Sequence, residues 1–459
     1  MRERVYYFVE RLLTPTGWIG PVHVEVSERG RVDAILSVLD AEIPAGQVIR
    51  LDGIGIPGMP NLHSHAFQRA LVGQTEYRFG NDSFWSWRES MYQLANAIDP
   101  QIQKDIASWL YIEMMEAGYT GVGEFHYVHR VGADDGGPLE MALALHEASA
   151  EVGLHMVLLP VLYRRGGFGT DVVERQRPFV FQEVDTFLDL VRQLDQHRVS
   201  IGFAPHSLRA VEPEILADTV DGFREDFPGR PIHIHIAEQR EEVAACLEAF
   251  GSRPVQWLMD HHEVDECWCL VHATHLDDNE ISLVAGSAAV VGLCPTTEAN
   301  LGDGIAPALG LATQGGRFGI GSDSHAIVDA CEELRALEGS QRLVHERRNL
   351  MCTEGSPNVG RYLWSQAVAG GRQALGLVGA GIQVGGTFDL VTLNTDHPHF
   401  ANCVDDQILD AWIMGGAKSA INDVFVAGRH LVREGRHIFR DEMLSRFRDA
   451  MLAVRSNTK

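Results

Sequence analysis

Eight short apolar runs, separated by segments of helical pattern, predict an α/β fold built around a closed (β/α)8 barrel of the TIM type. Both ends of the chain differ from this pattern. Stretches such as GTFDLVTLN and DVFVAGRHLVREGRHIF alternate apolar and polar residues and carry the turn signals of antiparallel strands. We therefore expect a small β-sandwich-like domain composed of residues 1–57 and 383–459, beside a barrel domain of residues 58–382.

The eight runs lie between about residue 54 and residue 325. In chain order they are IGIPGMPNLHSH, TGVGEFHYV, LHMVLLPVLY, VSIGFAPHS, PIHIHIAEQ, CWCLVHATH, AAVVGLCPTT and RFGIGSDS. Segments between them, such as DIASWLYIEMMEAGY, repeat apolar residues at the three- and four-residue spacing of amphipathic helices. Strands that alternate with helices indicate a parallel sheet. An open doubly wound sheet is the alternative, although no G-x-G-x-x-G follows the first strand to indicate dinucleotide binding.

Composition excludes several classes of partner. The chain of 459 residues has a formal net charge of −25, which argues against nucleic acid because such proteins normally present a basic surface. No segment approaches the roughly 20 apolar residues of a membrane span, so a cytoplasmic location is expected. The 7 cysteines are odd in number and lack a framework spacing, which predicts reduced thiols.

Polar residues fall at the carboxyl ends of the predicted strands. Because these ends meet at one face of a parallel barrel, side chains distant in sequence converge there. His63 and His65 are two residues apart on one strand and therefore point to the same side. The residues placed in this way are His63, His65, His206, His235, His272 and Asp323.

A metal site is predicted from four of them. His63, His65, His235 and Asp323 provide three imidazoles and one carboxylate, a set that suits one Zn²⁺ or another divalent metal such as Fe²⁺, with room for a water molecule. Each residue alone has a structural explanation. Asp323 fits a helix cap or a turn, and a histidine such as His235 or the nearby His233 fits a packed barrel position.

The motifs around these residues resemble those of the amidohydrolase superfamily. PNLHSHAFQ is similar to its first-strand H-x-H, HIHIAEQ to its fifth strand, LVHATHL to its sixth and GIGSDS to its eighth. Two-metal members often bridge their ions with a carboxylated lysine, but the 3 lysines of this chain, Lys104, Lys418 and Lys459, lie away from the strand ends. The resemblance therefore implies a mononuclear site of the deaminase type.

The same resemblance implies a mechanism. Glu238, three residues after His235, is similar to the proton shuttle of the deaminases and would protonate the departing nitrogen. Asp323 would accept the proton of a water molecule that the metal activates, and His272 would orient that water. The alternative for Glu238 is a surface glutamate that opens the next helix, where the helix dipole favours a negative charge.

Substrate identity rests on two further stretches. HSHAFQRALVG, which contains Gln68, and FAPHSLRAV, which contains His206 and Arg209, resemble the iminohydrolases of histidine degradation that convert N-formimino-L-glutamate to N-formyl-L-glutamate and ammonia. FWSWRESMYQ adds Arg88 and GEFHYVH adds Tyr127. An acyclic diacid needs carboxylate anchors, and the planar guanidinium of arginine binds a carboxylate through two hydrogen bonds.

Several alternatives stay open. The same site would suit a deaminase of a purine or another aromatic base, or a hydrolase of amides or C–Cl bonds. A catalytically silent barrel that serves as a scaffold is a third reading. We expect an anionic small-molecule substrate, no nucleic acid, no membrane and a homodimer; whether Arg88 acts in its own subunit or a neighbouring one is open.

Overall fold

The structure, a computed structural model, describes residues 5–39, 47–76, 84–129 and 137–457, and at 84–86 the backbone alone. The amino-terminal part consists of short strands. They are β1 (Val5–Val9), β2 (Arg11–Thr14), β3 (Gly17–Ile19), β4 (Val22–Val26), β5 (Val32–Ser37), β6 (Gln47–Arg50) and β7 (Ile54–Pro57). Four of them form a sheet in the order β5-β4-β1-β6.

A closed parallel barrel follows. Its strands are β8 (Met59–Ser64), β9 (Tyr119–His126), β10 (His155–Leu162), β11 (Ala204–Pro205), β12 (Ile232–Ile236), β13 (Trp268–His272), β14 (Val290–Leu293) and β15 (Arg317–Ile320). They pair in parallel as β8 to β11 and as β12 to β15. Parallel bridges between Phe203 and Ile232 and between Ser64 and Asp323 join the two halves. The predicted eight-stranded barrel is confirmed, and its closure excludes the open doubly wound sheet.

The carboxyl-terminal strands return to the amino-terminal domain. They are β16 (Leu390–Leu393), β17 (Ile421–Val426), β18 (Arg429–Arg433) and β19 (Arg436–His437). Together with β7, β2 and β3 they form a seven-stranded sheet, in the order β19-β18-β17-β16-β7-β2-β3. Tyr7, Val24, Phe388 and Phe425 share one apolar core that joins residues of both sheets. The termini therefore build a two-sheet domain, as the sequence predicts.

Helices connect the strands and cover the barrel. They are α1 (Phe84–Ala95), α2 (Pro100–Glu116), α3 (Pro138–Val152), α4 (Val184–Gln196), α5 (Pro213–Asp226), α6 (Arg240–Phe250), α7 (Pro254–His261), α8 (Asp278–Ser287), α9 (Pro295–Leu301), α10 (Ala308–Thr313), α11 (Ala330–His345), α12 (Val359–Ala374), α13 (Asp406–Gly415) and α14 (Arg440–Asn457). Capping side chains define several of their starts: Asp99 accepts a hydrogen bond from the Ile102 amide at the start of α2.

The limits of the two domains stay predictions. Helices α13 and α14 lie within the range 383–459 and pack against the barrel helices α12 and α2, respectively. That range therefore contains helices that its alternating pattern did not indicate. Among the described residues, no helix is both long and apolar enough to cross a membrane.

Candidate active site

Three buried histidine side chains meet at the carboxyl end of the barrel. Nε2 of His63 lies 3.1 Å from Nε2 of His65 and 3.0 Å from Nε2 of His235. His63 and His65 come from the end of β8 and the residue beyond it, whereas His235 lies near the end of β12. His63 and His235 are 172 positions apart in the sequence, and the barrel brings their rings together.

Asp323 completes this group from the loop after β15. Its Oδ1 lies 3.5 Å from Nε2 of His63 and 3.2 Å from Nε2 of His65. Asp323 has a φ of 45° and His272 a φ of 69°, in the left-handed region that side chains other than glycine seldom adopt. Such backbone strain is typical of functional sites, where the surrounding structure imposes it.

The donor set fits a divalent metal. The Nδ1 N–H of His65 donates to the Phe125 carbonyl at 2.9 Å, which turns its Nε2 toward that of His63. Burial lowers the pKa of His63 to about 3 and that of His235 well below its ordinary value, so both imidazoles are neutral at pH 7. Neutral imidazoles with converging nitrogen atoms are the form that binds zinc.

A hydrogen-bond network beneath this group fixes the first strand end. The Glu124 carboxylate accepts hydrogen bonds from the Ser64 hydroxyl at 2.6 Å and from the Ala66 amide at 2.7 Å. The Tyr111 hydroxyl also donates to it, at 3.1 Å. Burial raises the pKa of Glu124 to about 7, although these hydrogen bonds and His65 act in the opposite direction. Glu124 thus determines the conformation of the turn that carries His65.

A second group of ionisable side chains lies beside these histidines, with the His272 ring stacked on that of His235 at a centroid distance of 5.5 Å. Nε2 of His272 lies 3.8 Å from a Glu238 oxygen and 3.8 Å from Oδ2 of Asp323. On its other side, Nδ1 of His272 lies 3.4 Å from Oε1 of Glu298. Burial lowers the pKa of His272, but Glu238, Glu298 and Asp323 outweigh this effect and raise it to about 10.

Arg209 is the buried cation of the site. Its guanidinium lies 3.9 Å from Glu238 and 3.8 Å from Glu242. Glu242 in turn accepts hydrogen bonds from the amides of Ala237 and Glu238. Burial lowers the pKa of Arg209, but these two carboxylates outweigh it, so the guanidinium keeps its charge.

Six of these side chains open onto one pocket: those of His65, His235, Asp323, His272, Glu238 and Arg209. Every residue that the sequence predicted for substrate binding lines it, and Arg88 does so within the same chain. The lining includes Gln68, Arg88, Tyr127, His206, Arg209, Glu238, His272 and Asp323 together with His65 and His235. His63 does not line the pocket; it is fully buried beneath the other histidines.

Hydrogen bonds orient the predicted substrate-binding side chains. The Gln68 amide donates to the Tyr127 hydroxyl at 2.7 Å. His206 packs edge-on against His235 at a ring-centroid distance of 4.9 Å. Arg88 donates to the Tyr163 hydroxyl at 2.9 Å, and its guanidinium lies 5.3 Å from the centre of the Tyr92 ring.

Several residues of the site were not predicted from the sequence. Tyr163 and Tyr92 line the pocket, and the buried Gln176 donates to both hydroxyls, at 2.9 and 3.0 Å. Glu242 lies beside the Arg209 guanidinium, and Glu298 lies beside the His272 imidazole. The one available signal was position: Tyr163 directly follows β10, and Glu298 is the fifth residue after β14. His233 was predicted to be a packed barrel residue, and it is fully buried with its Nε2 N–H on the Ala374 carbonyl.

The comparisons with known proteins agree with this fold. The model of the amidohydrolase family matches residues 54–431. The formimidoylglutamate deiminase of Pseudomonas aeruginosa is 45% identical over 438 residues, which are 94% of this chain and 95% of that protein. An amidohydrolase from Brucella melitensis superposes with a TM-score of 0.90 at 39% identity and covers 99% of this chain and 100% of its own.

A more distant structure shares the fold alone. The adenosine deaminase from Xanthomonas campestris with bound zinc superposes with a TM-score of 0.81 at 21% identity, covering 99% of this chain and 98% of its own. The family model covers most of the chain. The Pseudomonas and Brucella relatives are 45% and 39% identical to this chain over nearly its whole length. The chain therefore belongs to the amidohydrolase family.

Proposed function

We propose that this protein hydrolyses N-formimino-L-glutamate to N-formyl-L-glutamate and ammonia, a step of histidine degradation. The observation that carries the proposal is Arg209, which is buried at 8% exposure while its Nε and Nη1 have no hydrogen-bond partner among the described residues. A buried guanidinium with unused donors in a pocket is suited to bind a carboxylate. The high identity to a formimidoylglutamate deiminase supports the same substrate.

His63, His65, His235 and Asp323 would hold one Zn²⁺ or a similar divalent ion. When bound, such an ion lowers the pKa of a water molecule and so supplies hydroxide at neutral pH. The zinc named for the Xanthomonas structure supports this metal. Zinc and its stoichiometry, the cytoplasmic location and the homodimer all stay predictions.

The residues around the pocket have distinct roles in the proposed reaction. Asp323 takes the proton of the attacking water, and His272 orients the oxygen as it approaches the formimino carbon. Glu238, whose carboxylate lies between His272 and Arg209 at the pocket wall, takes up the other proton of the water and delivers it to the terminal nitrogen of the substrate. The proton held by Asp323 passes to the same nitrogen as the tetrahedral adduct collapses. A C–O bond forms, the C–N bond to the terminal nitrogen breaks, and ammonia departs.

Arg209 and Arg88 would bind the two carboxylates of the substrate. Gln68, Tyr127 and His206 lie on the same wall and would contact the formimino group or a neighbouring carboxylate. Two positive side chains at short range attract a diacid in spite of the net charge of −25, since the charges on the outer surface are screened by solvent and salt. A neutral purine has no carboxylate for either guanidinium to bind.

The test is a substrate panel with the zinc-loaded protein. Ammonia release is measured with N-formimino-L-glutamate, with N-formiminoglycine, which has one carboxylate, and with adenosine and 5′-methylthioadenosine. We expect rapid release from the diacid, a large rise in KM for the monoacid and no release from the nucleosides. Preferred deamination of a nucleoside would refute the proposed substrate and leave the metal site intact.

A further inference from the structure

We propose that Arg165 is a positioning residue that holds the Leu208–Val211 turn in the conformation in which Arg209 reaches the pocket. This inference rests on the proposed function, because the carboxylate that Arg209 binds is the substrate's. Arg165 follows β10 and is not among the residues that line the pocket in the described part of the chain. It therefore acts through Arg209 and does not touch the substrate.

The Arg165 side chain donates to three backbone carbonyls of this turn. Its Nε donates to the carbonyl of Arg209 at 3.1 Å, and its Nη2 donates to those of Leu208 at 2.9 Å and Val211 at 3.1 Å. The remaining carbonyl, that of Ala210, accepts from the backbone amides of Arg164 and Arg165 at 2.9 and 3.1 Å. Four consecutive carbonyls thus depend on donors from residues 164 and 165.

These carbonyls require such donors because the turn is buried. Leu208, Ala210 and Val211 are each 1% exposed. A buried carbonyl without a hydrogen bond costs free energy, so a chain that loses the Arg165 guanidinium would rotate its peptide planes toward other donors or water. The planar guanidinium presents donors on two separate nitrogen atoms in a fixed fork, whereas the three donors of a lysine all leave one ammonium nitrogen.

Movement of the turn would displace Arg209 in particular. The peptide carbonyl of Arg209 is itself one of the three acceptors, so the clamp lies on the same residue whose side chain enters the pocket. His206 is held separately, since its amide donates to the Leu162 carbonyl of β10 at 3.0 Å. Loss of the clamp should therefore weaken binding of the substrate carboxylate more than the chemistry at Glu238 and Asp323.

Arg164 provides a matched control. It is the preceding residue, and its side chain pairs with Glu212 at 3.1 Å and donates to the Gln182 carbonyl. Its backbone amide, which binds Ala210, is kept in any variant other than proline. Arg164→Gln therefore removes an equal charge from the same loop and leaves the clamp on the turn unchanged.

The experiment compares wild type, Arg165→Gln, Arg165→Lys and Arg164→Gln as zinc-loaded proteins with N-formimino-L-glutamate. We expect Arg165→Gln to lower kcat/KM roughly tenfold or more, mainly through KM, with kcat and metal content nearly unchanged. Arg165→Lys should lie between it and wild type, and Arg164→Gln should match wild type. In an Arg209→Ala background, Arg165→Gln should add little further loss, because its effect passes through Arg209.

Equal effects of Arg164→Gln and Arg165→Gln, or full additivity with Arg209→Ala, would overturn the inference. Hydrogen–deuterium exchange of the 203–216 segment tests the clamp without any substrate: exchange should be faster in Arg165→Gln alone, and unchanged exchange would also overturn it. If wild type releases no ammonia from N-formimino-L-glutamate while this exchange difference is present, the proposed function fails and the clamp on the turn is retained.

Discussion

The Nδ1 atom of His272 lies 3.4 Å from the Oε1 atom of Glu298, so a carboxylate that does not line the pocket orients an imidazole that does. Glu298 is held in turn, because the amide of Cys294 donates to the same oxygen at 2.8 Å. This arrangement fixes the ring so that its Nε2 faces Glu238 and Asp323. A carboxylate behind a catalytic imidazole fixes both its orientation and the position of its proton.

The first prediction concerns that pair. Glu298→Gln should lower kcat about tenfold or more while KM and metal content change little, because His272 loses its orientation and the substrate carboxylates keep their partners. Steady-state kinetics and metal analysis check this. Glu241→Gln, an exposed position at the start of α6, is the control. A wild-type kcat in Glu298→Gln would show that His272 needs no such partner.

The second prediction separates two histidines of the same strand. His235→Ala should purify without its metal and without activity, since it removes one of three converging imidazoles. His233→Gln should keep the metal, because glutamine retains a donor for the Ala374 carbonyl. Elemental analysis of both proteins after dialysis measures the difference. A full equivalent of zinc in His235→Ala would contradict the assignment of the ligands.

The third prediction concerns Glu238, the proposed proton shuttle. Glu238→Gln should lower kcat by about 10²- to 10⁴-fold, the usual contribution of a general acid and base, with zinc still bound. The alternative, a glutamate that only opens helix α6, predicts a change in stability and little change in kcat. Ammonia release and thermal unfolding, measured on the same samples, distinguish the two. Glu241→Gln is again the control.

The fourth prediction concerns pH and stability at the β19 strand. His437 is 2% exposed; its Nε2 donates to the Val152 carbonyl at 3.0 Å and its Nδ1 accepts from the Phe439 amide at 3.1 Å. Burial lowers the pKa of His437 to about 4 from its ordinary value of 6.5. Below pH 6.5 this histidine binds a proton in the unfolded chain but not in the folded chain. The free energy of unfolding therefore keeps its full value above pH 6.5 and decreases as the pH falls toward 4.

The variant His437→Gln isolates that contribution, because glutamine keeps a donor and an acceptor but does not titrate. It should be less stable than wild type at about pH 7.5, and the difference in Tm should shrink at about pH 5. Thermal unfolding at both values measures it. A difference that does not depend on pH would mean that His437 is not held neutral by the fold.

The directions of the side chains at the strand ends were predictable because residue spacing alone determines them. In a strand, His63 and His65 share a side whatever the partner strands are, and the carboxyl end of each barrel strand faces the same way. The helix-period pattern between the runs then required a parallel sheet. These two local rules were sufficient to bring His235 and Asp323 to the same place before any contact was known.

The supporting residues were not predictable in the same way. Glu298 and Gln176 lie in a helix and a short 3-10 helix beyond the strands, and their direction depends on how those segments pack. Arg165 donates hydrogen bonds to carbonyls of a different loop, 43 to 46 positions further along the chain. Hydrogen bonds between two irregular connections have no periodicity, so no sequence pattern indicates them.

The measurement that tests the central claim most directly is the identity of the products. The formimino carbon of N-formimino-L-glutamate carries two nitrogen atoms, and Glu238 is proposed to protonate the terminal one. Proton NMR of a complete reaction should then show N-formyl-L-glutamate, with ammonia released in equal amount. Formamide and L-glutamate would show that the other C–N bond breaks and would contradict the account, as would a fully zinc-loaded protein that leaves the substrate unchanged.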